Sequence, residues 1–277
     1  MTQTYHQLRL DLSTALTQIL DPREASAEAL RWFEEGLGRS RSWMAAHGGD
    51  EVEPEARALV SGWLRRRRTG EPWAYILGWT EWRGRRFEVG PATLIPRPET
   101  ELVLEAALDI GKRLGVNHAV DVGTGTGILG ITLALETGWE VTATDLSAEA
   151  LVLARRNASV LGAQLEFAQG HLLDSVQGPL GLVVSNPPYV DPADRPSLQR
   201  ELAWEPDSAL FAEDQGLALS VELLREARRR AAPACVLEIG AGQGAPLTER
   251  AQAMGWKRVW VHQDMAGHDR VLMAIGG

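Results

Sequence analysis

The chain has 277 residues, enough for two domains, and its 44% hydrophobic and 23% charged residues are typical of soluble globular proteins. The net charge of -9 argues against broad binding to a nucleic-acid backbone, and a single cysteine, Cys235, excludes an internal disulfide. The sequence has no signal-peptide core, no apolar run of membrane-spanning length and no structural metal site, so we expect a cytoplasmic protein without a bound metal.

The first third of the chain is predicted to be helical. Leucines recur at helical spacing between Leu8 and Leu20, and Asp21 followed by Pro22 is typical of a capped second helix. A third helical pattern ends in four arginines, residues 65–68. These arginines either contact an acidic partner or RNA or form a solvated helix end, which we favour because positive charge stabilises a helix carboxyl terminus.

Six of the ten tryptophans lie in this third: Trp32, Trp43, Trp63, Trp73, Trp79 and Trp82. We expect most of them in the core of a small helical domain; the alternative is a recognition surface, because aromatic residues are favoured at interfaces. Residues 79–89 alternate around Gly84 as a β-hairpin does, and we interpret them as a connector between two domains.

After Pro98, apolar runs alternate with helical patterns. The predicted strands are residues 118–122, 140–144, 165–168, 180–184 and 235–239, and the predicted helices include one that opens at 98–101 and those at 148–161 and 217–230. Strands that alternate with helices of this length indicate an α/β domain with a parallel sheet covered on both faces.

A glycine-rich loop follows the first of these strands. It contains Gly123, Thr124, Gly125, Thr126 and Gly127, and the next strand ends in Asp145, 18 residues beyond Gly127. Glycines at a strand-to-helix turn allow a ligand to approach the backbone, and a carboxylate at that distance can accept from both ribose hydroxyls. The spacing G-x-G-x-G differs from the dinucleotide fingerprint and favours S-adenosyl-L-methionine. The alternative is a structural turn that binds no ligand.

The most informative stretch is Ser-Asn-Pro-Pro-Tyr at residues 185–189, directly after a predicted strand. Two consecutive prolines remove two backbone donors, so the carbonyl groups of Asn186 and Pro187 are held in one direction. With the Asn186 side-chain carbonyl and the ring of Tyr189, they can grip a planar NH2 group by its two hydrogens and its face. This arrangement suits methylation of an amide or exocyclic amine nitrogen; a structural turn is the alternative.

A second glycine-rich segment, residues 237–244, has Asp264 at a comparable distance. It is a second nucleotide site, an internal duplication, or a tight turn late in the same sheet. We favour the turn, because only 33 residues follow Gly244, too few for the remaining strands of a second binding domain.

Several segments resemble the HemK/PrmC family of protein-(glutamine-N5) methyltransferases, which act on peptide chain release factors. The segments that carry the resemblance are residues 74–78, 94–101, 121–127, 185–189, 205–206, 237–244, 263–264 and 269–271. Asn-Pro-Pro-Tyr also occurs in adenine-N6 DNA methyltransferases and several rRNA methyltransferases. The segment Ile-Pro-Arg-Pro-Glu-Thr-Glu at 95–101 is more specific.

The resemblance implies a helical substrate-binding domain at 1–78, a β-hairpin linker at 79–95 and a Rossmann-like, seven-stranded class I methyltransferase domain at 96–277. It implies that S-adenosyl-L-methionine is held by Gly123, Thr124, Gly125, Thr126, Gly127, Asp145, Leu172 and Asn186, and that the substrate glutamine is held by Asn186, Pro187, Pro188 and Tyr189. The family usually has an acidic residue where this chain has His171, which either bonds near the adenine or has no role there.

The predicted function is therefore methyl transfer to the glutamine of the release factors' Gly-Gly-Gln motif, with Asn186, Pro187 and Tyr189 as catalytic residues. No side chain is needed as a nucleophile, because positioning and carbonyl dipoles supply most of the catalysis. One alternative is a methyltransferase of adenine N6 or another exocyclic amine in nucleic acid, which the acidic charge disfavours. Another is a non-catalytic adaptor, which the intact binding motifs disfavour. We expect a monomer that binds neither nucleic acid nor membrane.

Overall fold

The computed structural model describes residues 3–276. The chain forms two compact units, Met1–Gly78 and Trp79–Gly277. Within the described residues, no helix combines the length and the apolar character that crossing a membrane requires.

Helices make up the first unit. They are α1 (Tyr5–Leu16), α2 (Pro22–Arg31), α3 (Arg41–His47), α4 (Pro54–Arg68) and α5 (Trp73–Leu77), and a π-helical turn at Trp32–Gly36 continues α2. As predicted, Asp21 caps α2. Its Oδ1 accepts hydrogen bonds from the backbone N–H groups of Arg23 and Glu24, at 2.8 and 3.1 Å, so these two donors at the start of the helix are satisfied.

Tryptophans fill much of the core of this unit. Trp32 stacks on Trp73 with ring centroids 4.6 Å apart, and Trp63 packs edge-on against both. Trp32 and Trp73 are buried, while Trp43 and Trp63 are partly buried against the same core. The prediction that most of the tryptophans are core residues is confirmed.

The four arginines at the end of α4 are not all solvated. Arg67 is 3% exposed and forms an ion pair with Glu28 of α2, with 2.7 Å between Arg67 Nε and Glu28 Oε1. Arg66 pairs with Glu71. The interpretation of the run as a solvated helix end is therefore wrong for Arg67, because a carboxylate from another helix compensates the burial of its charge.

The second unit contains the sheet. Its strands are β1 (Trp79–Trp82), β2 (Arg85–Glu88), β3 (His118–Val122), β4 (Glu140–Asp145), β5 (Glu166–Gln169), β6 (Leu182–Ser185), β7 (Ala234–Glu238), β8 (Arg258–Gln263) and β9 (Asp269–Ile275). Its helices are α6 (Thr100–Leu114), α7 (Ile128–Thr137), α8 (Ala148–Leu161), α9 (Asp207–Leu210), α10 (Ala218–Arg229) and α11 (Gly244–Ala253), with 3₁₀ turns at Pro192–Ser197 and Arg200–Trp204. Strands β3 to β9 form one seven-stranded sheet in the order β5-β4-β3-β6-β7-β9-β8, which confirms the predicted strand number.

Most of this sheet is parallel, but β9 runs antiparallel to both of its neighbours. A tight turn connects β8 to β9, and such a short connection can join only antiparallel strands. In that turn, Asp264 Oδ1 accepts from the backbone N–H groups of Ala266 and His268. The residues after Gly244 therefore complete the one sheet, which is parallel, as predicted, except at β9.

Apolar side chains cover both faces of the sheet. Along β6, Leu182 and Val184 belong to one buried cluster and Val183 belongs to the other, as the alternation of side chains in a strand requires. Helices α6, α7 and α8 contribute to the first cluster, and α10 and α11 contribute to the second. The predicted cover on both faces is present.

The hairpin β1–β2 packs into the second unit. Its turn, Arg83–Gly84, has φ values of +50° and +71°, which match the tight turn that suits twisted strands. Trp82 and Phe87 join the first core cluster, and Asn157 of α8 bonds the backbone N–H and carbonyl of Glu88 at 2.7 and 3.0 Å. The end of the linker at residue 95 stays a prediction.

Candidate active site

A cavity of about 710 Å³ opens at the carboxyl ends of β3, β4 and β6, where parallel α/β sheets bind their ligands. The predicted site residues that line it are Gly123, Thr124, Gly125, Thr126, Asp145, Leu172, Asn186, Pro187 and Pro188. Gly127 and Tyr189 are not among its lining residues. The fold thus brings the glycine loop and the start of the Asn-Pro-Pro-Tyr stretch to one place.

The loop between β3 and α7 presents its backbone to this cavity. Gly123 and Gly125 have φ values of +67° and +56°, and a Cβ atom on Gly123 would meet no other atom within 4 Å. A ligand can therefore lie directly against the backbone. Gly127 has a different role, because a Cβ atom there would lie 2.6 Å from Ile131 Cδ1. It permits the close packing of the first turn of α7.

Asp121 supports the loop from the end of β3. Its Oδ2 accepts from the Thr124 hydroxyl at 2.6 Å and from the Gly130 backbone N–H at 2.8 Å. Burial raises the pKa of Asp121 to about 6, although these two hydrogen bonds lower it. Its Oδ1 is buried and has no hydrogen-bond partner among residues 3–276. Because Asp121 also lines the cavity, this oxygen can accept from a ligand.

Asp145 lies at the rim of the cavity, at the end of β4. Its Oδ2 accepts from the Gly125 backbone N–H and its Oδ1 accepts from the Ser147 backbone N–H, both at 2.9 Å. Burial raises the pKa of this carboxyl above its usual value, and the backbone hydrogen bonds oppose that rise. Each carboxylate oxygen keeps a further lone pair, so Asp145 can still accept from two ribose hydroxyls.

His171 and Leu172 border the cavity after β5. Leu172 has a φ of +45°, which is uncommon for a residue with a side chain, and its backbone carbonyl accepts from the Thr144 hydroxyl at 3.1 Å. The His171 side chain is 43% exposed, and its Nδ1 lies 3.9 Å from Glu222 Oε1. This edge of the cavity therefore offers an apolar side chain and an exposed imidazole.

Residues 186–188 leave β6 and form a wall of the cavity. Asn186 Nδ2 donates to Thr100 Oγ1 at 3.1 Å, and no donor within the described part of the chain is bonded to Asn186 Oδ1. Beyond the prolines, Val190 forms a parallel bridge with Phe211. The stretch is therefore fixed at both ends, and it presents an unoccupied acceptor at the cavity.

Tyr189 is held by groups on the opposite side of the stretch. Its hydroxyl donates to Glu238 Oε1 at 3.1 Å, and its backbone carbonyl accepts from Gln243 Nε2 at 2.9 Å. Burial and the negative charge of Glu238 raise the pKa of Tyr189 above its ordinary value. The hydroxyl therefore stays protonated and bonded to a carboxylate, and Tyr189 lines a second, smaller cavity.

The second glycine-rich segment borders another cavity, of about 430 Å³, together with Tyr189. Gln243 crosses this region, accepting from the Gly240 backbone N–H at 2.8 Å and donating to the carbonyls of Tyr189 and Gln215. Asp264 lies in the β8–β9 turn and accepts from Arg270 Nε at 2.8 Å. The segment is a turn in the same sheet, as we favoured, and it supports the Asn-Pro-Pro-Tyr stretch.

Two buried glutamates near the site were not identified from the sequence. Glu205 accepts from the Ile95 backbone N–H at 3.0 Å and pairs with Arg97, which anchors residues 92–96 beside the cavity. Glu238 accepts from the hydroxyl groups of Tyr189 and of Thr100, the first residue of α6. Both glutamates lie in segments that carry the family resemblance, but their partners are too distant along the chain for local spacing to reveal them.

Comparison with known proteins identifies the family. Residues 9–78 match the PrmC N-terminal domain, and residues 100–212 match the methyltransferase small domain. Release factor glutamine methyltransferases of Deinococcus radiodurans and Bordetella pertussis are 39% and 38% identical to this chain, over 87% and 93% of its length and 88% and 98% of theirs. The chain belongs to the release factor glutamine methyltransferase family. The predicted family is therefore confirmed.

Solved structures share the fold at low sequence identity. The hMettl16 catalytic domain, in complex with a MAT2A 3′UTR hairpin, has a TM-score of 0.59 and 14% identity, covering 81% of this chain and 83% of that one. A methyltransferase from Pyrococcus furiosus has a TM-score of 0.52 and 17% identity, covering 81% of this chain and 100% of that one. The class I methyltransferase fold is confirmed, and at these identities the likeness carries no conclusion about the substrate.

The cofactor of this family is S-adenosyl-L-methionine, and the residues of the cavity fit it. The open space beside Gly123 admits a ligand to the backbone, and the unpaired Asp121 Oδ1 suits the ammonium group of a methionyl moiety. Asp145 supplies a carboxylate at the position expected for ribose. These three features together match an amino acid joined to a nucleoside.

Proposed function

We propose that this chain transfers a methyl group from S-adenosyl-L-methionine to the side-chain N5 of the glutamine in the Gly-Gly-Gln motif of peptide chain release factors. The observation that carries the proposal is the position of Asn186, whose unoccupied carbonyl belongs to a residue lining the same cavity as the glycine loop. Membership of the release factor glutamine methyltransferase family supports a protein amide as the methyl acceptor.

In this proposal, residues 123–126 and Asn186 hold the methionyl part of the cofactor, Asp145 holds its ribose and Leu172 contacts its adenine. Gly127 contributes by permitting the close packing of α7 beneath the loop. When bound, S-adenosyl-L-methionine supplies a methyl group on a positively charged sulfur. The chain contributes placement, because the glycine loop and residues 186–188 line one cavity. Placing two reacting groups in contact removes much of the entropic barrier to their reaction.

Asn186 and Pro187 hold the substrate amide. Asn186 Oδ1 and the backbone carbonyls of the two residues accept the two amide protons, which turns the nitrogen lone pair away from its own carbonyl and toward the methyl group. The same carbonyl dipoles stabilise positive charge that develops on the nitrogen. Pro188 keeps the backbone rigid and the ring of Tyr189 packs on the amide. Loss of one amide proton to solvent then gives the neutral methylated amide.

The first unit, residues 1–78, contributes to binding the release factor in this proposal. Its match to the PrmC N-terminal domain supports this role. The net charge of -9 supports a protein rather than a nucleic acid as the direct partner. A substrate that acts in translation supports a cytoplasmic location. We further propose that the enzyme acts as a monomer.

Transfer of labelled methyl from S-adenosyl-L-methionine to a purified, unmodified release factor tests the proposal. A release factor with Gln→Ala in its Gly-Gly-Gln motif is the matched control. Label in the first protein and none in the second is the expected result. No label in either, with cofactor binding intact, would overturn the proposal in favour of another acceptor, such as an exocyclic amine in nucleic acid.

A further inference from the structure

A chain of buried hydrogen bonds leads from Asn186 to Glu238. Asn186 Nδ2 donates to Thr100 Oγ1 at 3.1 Å, and Thr100 Oγ1 donates to Glu238 Oε2 at 2.6 Å. The other oxygen of Glu238 accepts from the Tyr189 hydroxyl at 3.1 Å. Thr100 and Glu238 are each 1% exposed, so water does not compete for these bonds. Two residues of the Asn-Pro-Pro-Tyr stretch are therefore linked to one carboxylate, Tyr189 directly and Asn186 through Thr100.

The direction of these bonds follows from the number of protons each group carries. An ionised carboxylate can only accept, so the one proton of the Thr100 hydroxyl points at Glu238. Thr100 Oγ1 can then only accept from Asn186, which requires the NH2 group of Asn186 to face it. The carbonyl oxygen of the same amide consequently faces the other way. This orientation leaves Asn186 Oδ1 available to the substrate.

We infer that Thr100 and Glu238 are positioning residues that hold the Asn186 amide with its carbonyl oxygen toward the substrate NH2 group. The inference deepens the proposed function and rests on it. Without the ionised carboxylate, the Thr100 hydroxyl is able to donate to Asn186 Oδ1. The amide then rotates to present its NH2 group to the substrate, where two sets of donors face each other. Such an arrangement cannot hold an amide nitrogen for methyl transfer.

The surroundings of Glu238 make its charge sensitive to pH near neutrality. Among residues 3–276, the titratable groups that act on it are Tyr189, which bonds it, Glu99 beside Thr100, and Arg270 on β9. Burial raises the pKa of Glu238 to about 7, with Glu99 adding to the rise and Arg270 opposing it. The carboxylate is therefore ionised above this pH and becomes protonated below it.

Thr100→Val and Thr100→Ser form a matched pair for the first test. Valine preserves the shape of threonine and removes the hydroxyl, whereas serine keeps the hydroxyl. Thr100→Val is expected to lower kcat for methyl transfer to a release factor by about 10-fold or more, because a misplaced group near the reacting atoms is costly. The dissociation constant of S-adenosyl-L-methionine should change little. The Tm should fall in Thr100→Val, because the buried Glu238 carboxylate loses a donor, and Thr100→Ser should recover most of the lost kcat and Tm.

Glu238→Gln tests the same inference through the pH profile. In the unmodified chain, kcat is expected to fall as the pH decreases through about 7, the pKa of Glu238. In Glu238→Gln, kcat is expected to be lower and to lose that dependence, because the amide of glutamine does not titrate. This readout does not depend on how well the Thr100 variants fold.

The outcomes separate the inference from the proposed function. Equal kcat in Thr100→Val and Thr100→Ser, or an unchanged pH profile in Glu238→Gln, would overturn the positioning role while transfer by the unmodified chain upholds the proposed function. No transfer by the unmodified chain would overturn the proposed function and the inference together.

Discussion

The two glycine-rich loops of this protein share a local plan and differ in what they face. Each follows a buried strand that carries an acid two positions before the first glycine, Asp121 at the end of β3 and Glu238 at the end of β7. Burial raises the pKa of both acids, to about 6 and about 7. Asp121 keeps one unpaired oxygen, whereas both oxygens of Glu238 accept from Thr100 and Tyr189.

In the proposed function, this difference separates cofactor binding from substrate positioning. Residues 123–126 of the first loop line the large cavity, and the acid before this loop keeps an acceptor that a ligand can use. In the loop at 240–244, both oxygens of the preceding acid, Glu238, accept hydrogen bonds from other residues of the chain. Gln243 of this loop donates to the Tyr189 backbone carbonyl. An acid and glycines after a strand therefore predict a turn, and the groups placed opposite the acid determine whether that turn binds a ligand.

Asn186→Ala should separate methyl transfer from cofactor binding most clearly. We expect kcat to fall by about 1,000-fold, because the substitution removes an acceptor proposed to bind the reacting amide. The dissociation constant of S-adenosyl-L-methionine should change far less, because the glycine loop and Asp145 keep their proposed contacts with the cofactor. Transfer assays and calorimetric titration measure the two quantities. Asn117→Ala, the same change at an exposed position outside the cavity, is the control, and retained transfer in Asn186→Ala would remove this residue from the mechanism.

The two buried acids should also differ in their effect on stability against pH. Asp121 has a folded pKa of about 6 against an ordinary value of 3.8, so its contribution to the free energy of unfolding is present below about pH 4 and is lost as the pH rises through 6. Relative to Asp121→Asn, the free energy of unfolding of the unmodified chain should fall by about 3 kcal/mol between pH 4 and 7. Relative to Glu238→Gln, the free energy of unfolding of the unmodified chain should keep falling until about pH 7.

Urea unfolding of the cofactor-free protein at several pH values measures this effect. For each variant, the difference in the free energy of unfolding from the unmodified chain is plotted against pH. We expect the curve for Glu238→Gln to reach its plateau about one pH unit above the curve for Asp121→Asn. Difference curves that stay flat across this range would show that neither acid has a raised pKa.

Gly123→Ala and Gly242→Ala compare the two loops directly. Both glycines have a positive φ, of +67° and +81°, and neither has an atom within 4 Å of an added Cβ. The backbone strain of about 1–2 kcal/mol should therefore be similar in the two variants. Only Gly123→Ala places a methyl group in the large cavity, and we expect it to raise the dissociation constant of S-adenosyl-L-methionine about 10-fold or more. Similar dissociation constants for the two variants would contradict the proposal that only the loop at residues 123–127 binds the cofactor.

Tyr189→Phe should have the smallest effect. It keeps the ring and removes one hydrogen bond to Glu238, so we expect kcat to fall by about 3- to 5-fold, in line with the loss of a single hydrogen bond. Steady-state kinetics on a release factor measure the change. A loss of several hundred-fold would instead assign a chemical role to the hydroxyl.

Local patterns in the sequence predicted the elements of this fold well. Helix α8 has the predicted bounds, 148–161, because its apolar spacing and its Ser147 cap are both local signals. The antiparallel direction of β9 was not predicted, because it depends on a turn after the last glycine-rich segment. The burial of Arg67 depends on Glu28, 39 residues earlier in the chain. Ion pairs of this kind have no local pattern.

The residues of the candidate site also fall into two groups, those that local sequence patterns predict and those that only the structure shows. The glycine loop, Asp145 and Asn186 could be proposed from the sequence because each follows a strand at a spacing with a physical meaning. The Thr100–Glu238 bond joins residues 138 positions apart and becomes visible only when α6 lies beside β7. The positive φ of Leu172 likewise has no sequence signal, because leucine rarely adopts it.

In the proposed function, Asn186 directs a methyl group onto the glutamine amide of the Gly-Gly-Gln motif. Tandem mass spectrometry of the release-factor peptide that contains this motif, after incubation with the enzyme and S-adenosyl-L-methionine, tests it most directly. We predict one added methyl group on the glutamine side chain with the unmodified chain and none with Asn186→Ala. A methyl group on another residue, or equal modification by both proteins, would contradict the claim.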